Sequence, residues 1–60
     1  MSSFVLLIKG EEGLVCEDLF EEREILKMQG YQVKSSTISE NITLACDSFK
    51  EMYPTLSIHN

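Results

Sequence analysis

Five consecutive apolar residues, Phe4-Val5-Leu6-Leu7-Ile8, constrain this 60-residue chain more than any other feature. The run does not alternate with polar residues, the pattern of a strand covered on both faces. It is expected to be the central strand of a sheet. A chain of this length buries only about 60% of the surface that its unfolded form exposes, near the lower limit for an apolar core acting alone. The expectation is a single small domain over residues 1–60 whose stability is marginal or shared with a partner. Hydrophobic residues make up 43% of the chain, too many for a disordered tail.

After Lys9 the stretch Gly10-Glu11-Glu12-Gly13 reads as a turn, because its glycines tolerate positive φ. A hairpin with Leu14 to Cys16 as the return strand competes with a loop running straight into a helix. Three residues are few for a strand, which favours the loop. The helix is then expected over Val15 to Gln29, with Val15, Cys16, Leu19, Phe20 and Leu26 on one face and Gly30 just past its end. Arg23 falls inside that apolar stripe, and its stem is expected to lie over the core edge with the guanidinium reaching water or a carboxylate. Ile25 and Met28 point away from it.

Tyr31 to Ser36 alternates like a strand nearer an edge. With a helix between it and the first strand, the pair should be parallel through a right-handed crossover. Thr37 and Glu40 form a candidate capping box, with Ser39 and Asn41 as competing caps. Ile38, Ile42, Ala45, Phe49 and Met52 follow at spacings of a helical stripe, bordered by Cys46 as a small buried hydrophobe. Pro54 stops this helix, and Thr55 to Ile58 alternates like a third strand. The predicted fold class is α/β, a small βαβαβ sheet of strand order 2-1-3 with one helix on each face.

Ten acids against five bases leave a net charge of −5, and Glu11, Glu12, Glu17, Asp18, Glu21, Glu22 and Glu24 crowd one segment opposed only by Arg23. That field repels phosphate backbones, so direct nucleic-acid binding is not expected. A protein partner with a basic surface is compatible with it, including one that normally holds nucleic acid. Glu11, Glu12, Glu17, Glu21 and Glu24 form the candidate interaction surface. Two cysteines are too few for a disulfide framework, and the single His59 and distant thiols show no metal-ligand spacing. No metal or cofactor is expected. The N-terminal residues do not read as a secretory signal and no segment is long enough to span a bilayer, so the expected location is cytoplasmic with both thiols reduced.

The layout resembles the N-terminal two thirds of a glutaredoxin, of the thioredoxin-fold family. Phe4 to Lys9 resembles the first strand, Gly13-Leu14-Val15-Cys16 occupies the place of the C-x-x-C motif, Glu17 to Gly30 resembles the first helix, Tyr31-Gln32-Val33 the second strand, and Pro54-Thr55-Leu56-Ser57-Ile58 the proline-led strand that faces the thiols in that family. The resemblance implies thiol chemistry, but Gly13 stands where the attacking cysteine would be, and a glycine attacks nothing. The acids around Cys16 should raise its pKa rather than lower it. The implied product is a redox-inactive relative. The expected function is a small, acidic, non-catalytic interaction module, a regulator or inhibitor of a larger protein and itself dimeric, since apolar surface and the edge of the third strand need cover. The alternative is a residual glutaredoxin-like thiol redox protein using Cys16.

Overall fold

A computed structural model describes residues 1–60. The chain forms β1 (Ser2–Lys9), β2 (Glu12–Glu17), α1 (Phe20–Met28), β3 (Gln32–Ser39), α2 (Ile42–Met52) and β4 (Ser57–His59). The strands make one mixed sheet in the order β3-β1-β2-β4, so the opening apolar run lies in an interior strand. Its alternate residues serve opposite faces. Phe4 and Leu6 join Val15, Ala45, Cys46, Phe49 and Ile58 in one core cluster, which places α2 on their side. Val5 and Leu7 point to the other face, where they are 1% and 0% exposed. Their β2 partners Cys16 and Leu14 share that face and line a cavity with Glu22, Ile25 and Leu26, which places α1 there.

Two features correct the expected three-stranded 2-1-3 sheet. First, residues 12–17 are a strand rather than a turn running into a helix. A two-residue turn, Gly10-Glu11, closes an antiparallel hairpin in which Lys9 faces Glu12, Leu7 faces Leu14 and Val5 faces Cys16. Gly10 has φ +60 and Glu11 does not have positive φ, the pattern of a type II′ turn, whose twist suits paired strands. The hairpin wins over the helix because it buries Val15 against α2 while Cys16 is half-buried under α1. A helix starting at Val15 would cover one face only. β2 therefore stands between the first strand and the last.

Second, β3 is antiparallel to β1, not parallel. The hairpin is the reason: it returns the chain to the Phe4 end of β1, where Glu17 pairs. α1 then carries it back, so that a side chain at Gly30 would touch Lys9, and β3 starts opposite Ile8. The parallel pair is instead β2 with β4, through Glu12–Ser57, Gly13–Ile58 and Leu14–His59.

The helices also begin later than their apolar spacing implies. α1 starts at Phe20, with Leu19 at the cap position and no side-chain cap bond. It ends as expected at Gly30, where φ is +100 and the N–H groups of Gly30 and Tyr31 donate to the carbonyls of Lys27 and Leu26, both at 3.0 Å, a Schellman closure. Asn41 caps α2, its Oδ1 accepting the Leu44 N–H at 2.9 Å, so the Thr37–Glu40 box is not used. Ile38 belongs to β3 and is 70% exposed, which removes it from the α2 stripe. Tyr53 terminates α2 just before Pro54, and β4 is confined to Ser57–His59.

Candidate functional site

Gly13 and Cys16, placed by the sequence at a helix N-terminus, both lie in β2. They point to opposite faces of the sheet. Gly13 is buried on the α2 side, where a Cβ would come within 2.9 Å of Ile58 Cγ1 and 3.1 Å of Leu6 Cδ1. The glycine thus serves the close approach of β4, and the strand holds no space for a nucleophile at this position. Cys16 lies on the α1 side, half-buried, and Cys46 is buried in the core on the α2 side, so the sheet separates the two free thiols.

Pro54 is not brought to Cys16. It is exposed in the turn before β4, where the Leu56 N–H donates to the Tyr53 carbonyl at 3.2 Å and the Ser57 N–H to the Glu11 carbonyl at 2.9 Å. This is the hairpin-turn end of the sheet. Cys16 sits beyond the last β2–β4 pair, Leu14–His59, some four residues, or about 13 Å, along β2 from Glu12. The Tyr53–Pro54 peptide is trans.

The Cys16 thiol is pushed up from its ordinary value by burial first and by the Glu22 carboxylate second, with Arg23 opposing them. At neutral pH it is a thiol, the poorly nucleophilic form. It borders a cavity of about 440 Å³ whose walls are mostly apolar, with Glu22 and Asn60 as the polar exceptions. Burial likewise raises Cys46. No group of three or more His, Cys, Asp or Glu side chains converges in the structure, and His59 Nδ1 lies 3.8 Å from Glu12 Oε2 at the exposed end of β4.

The fold divides the candidate acidic surface in two. Glu11 and Glu12 occupy the hairpin tip, whereas Glu17 lies at the far end of β2, five residues or about 17 Å away. Glu17 is continuous with α1, where Glu21 and Glu24 follow. Two neighbouring charges are internally paired: Arg23 bonds Asp18, as its position in the stripe anticipates, and Lys27 Nζ lies 3.2 Å from Glu24 Oε2. Glu17, Glu21 and Glu22 are exposed and lack a basic partner.

Sequence periodicity missed the apolar character of this same face. α1 buries none of its residues, and Phe20, Ile25 and Met28 are 66%, 55% and 88% exposed. The signal available in the sequence was the pair Ile25 and Met28 outside the stripe, which the structure extends to Phe20 and Leu19. Comparison with protein-family models, with curated proteins and with solved structures finds no match for this chain.

Proposed function

We propose that the chain is a small, acidic, non-catalytic protein-interaction module that docks on a larger protein as a regulator or inhibitor, using the outer face of α1 and the adjoining end of β2. The observation that carries this reading is the combination on α1 of exposed Phe20, Ile25 and Met28 with the unpaired acids Glu17, Glu21 and Glu22. At 100° per residue Glu21 falls between Met28 and Ile25, so apolar and acidic side chains share one exposed helix face, a composition suited to docking. The sign of that charge fits a basic partner, whose encounter the field would accelerate.

Affinity capture from the native host at low and high salt tests the reading. A partner with a basic surface should be retained at low salt and lost as salt rises, and the triple variant Glu17→Gln/Glu21→Gln/Glu22→Gln should retain much less of it. Equal recovery by both proteins at both salt concentrations would remove the acidic face from the mechanism.

Residual glutaredoxin-like thiol chemistry at Cys16 is the second reading. Its support is the half-buried thiol at the wall of an open cavity. The raised pKa and the distance of Pro54 weigh against it.

A further inference from the structure

We propose that the cavity between α1 and β2 is a binding site for a small apolar primary amine, whose ammonium group pairs with Glu22 while its hydrocarbon body fills the space beside Cys16. This goes beyond the docking reading, which uses the outer face of α1, and does not depend on it. The cavity follows from the way α1 is seated. The helix packs on β3 rather than on β2, although Leu14 and Cys16 of β2 lie on its face of the sheet, opposite Leu7 and Val5. The gap left between them holds about 440 Å³ and runs round the edge of β2 to Val15 and to Ile42 at the start of α2. That volume is in the range of small-molecule sites.

The walls set the class of ligand. Leu14, Val15, Ile25, Leu26 and Ile42 present hydrocarbon, and the Cys16 thiol is uncharged at neutral pH, so the body of the ligand must be apolar. Glu22 is the one charged group in the lining. The two nearest bases on α1 are engaged elsewhere, Arg23 with Asp18 and Lys27 with Glu24. The field of Glu22 reaches into the cavity, since it helps to hold the Cys16 thiol above its ordinary value.

A carboxylate beside apolar walls favours a cation there and disfavours an anion, because the low-dielectric side screens its charge poorly. The net charge of −5 acts in the same direction. A metal ion does not fit, since it needs several donors around it and no group of three or more His, Cys, Asp or Glu side chains converges in the structure. An organic ammonium brings its own apolar body and so answers both parts of the lining. Its three N–H donors match the Glu22 carboxylate and the Asn60 carboxamide, the two polar side chains at the wall.

Amide chemical-shift titration of the full chain at neutral pH with phenylbutylamine, phenylbutanol and phenylbutyrate tests the proposal, with circular dichroism confirming that each variant is folded. The amine should bind with a Kd on the order of 0.1–1 mM, with its largest shifts at Leu14 to Cys16 and Glu22 to Leu26. The alcohol should bind about fivefold more weakly, and the carboxylate more weakly still. Glu22→Gln should weaken the amine about fivefold and leave the alcohol unchanged. Glu21→Gln removes the same charge from outside the cavity and should weaken the amine much less, which separates the site from the charge of the whole molecule. No saturable binding of the amine, shifts confined to Phe20 and Met28 on the outer face, equal binding of amine and carboxylate, or equal losses in Glu21→Gln and Glu22→Gln would overturn it.

Discussion

Gly13 and Cys16 show how much one residue's setting decides its chemistry. In the sequence they are the two ends of a motif-like spacing at a strand-to-helix junction. In the fold they are strand residues on opposite faces, one against Ile58 and Leu6, the other beneath α1. Gly13→Ala should therefore destabilise the protein by about 1–3 kcal/mol, the usual cost of overpacking a filled interior, measured by urea denaturation. Gly13 does not have positive φ, so the loss is steric rather than conformational. Peptide-resolved alkylation against pH should give Cys16 a pKa above its ordinary value of 9.0. The sign for stability follows from linkage. A thiol whose folded pKa is raised contributes fully below pH 9.0, and that contribution is lost as pH rises from there through the folded value. Stability should fall on the alkaline side, and less steeply in Cys16→Ser.

Among the elements, those marked by a local pattern or a breaker were legible in advance, and those decided by strand pairing were not. The β1 run, the α2 stripe from Ile42 to Phe49, the Gly30 stop and the Pro54 stop all stand where spacing and breakers put them. β2 did not, because Leu14-Val15-Cys16 fits either a short strand or the first turn of a helix. Only the pairing with Leu7 and Val5 separates them, and pairing is not a local property. The antiparallel β3 was lost with it, since one unrecognised hairpin reverses the sense of everything that follows. The same dependence on neighbours hid the exposed face of α1. The two helix starts contrast: α2 has a bonded Asn41 cap, and α1 has Leu19 with none. Asn41→Ala should cost about 1 kcal/mol and Leu19→Ser should recover part of a similar amount, both read from thermal unfolding.

For the whole molecule, ten of 60 residues are buried, and the exposed large apolar residues equal the buried apolar ones in number. So small an interior leaves α1 held by its edge and its outer face free, and no helix is long and apolar enough to cross a membrane. Exposed apolar surface is what such a molecule has in excess. The proposed docking rests on charge on the α1 face and not on the Cys16 thiol. Comparing affinity capture by Cys16→Ser with capture by Glu17→Gln/Glu21→Gln/Glu22→Gln tests that assignment most directly. Cys16→Ser should retain the partner as the wild-type chain does, and the carboxamide variant should lose it. Loss of the partner from Cys16→Ser with retention by the carboxamide variant would contradict the account.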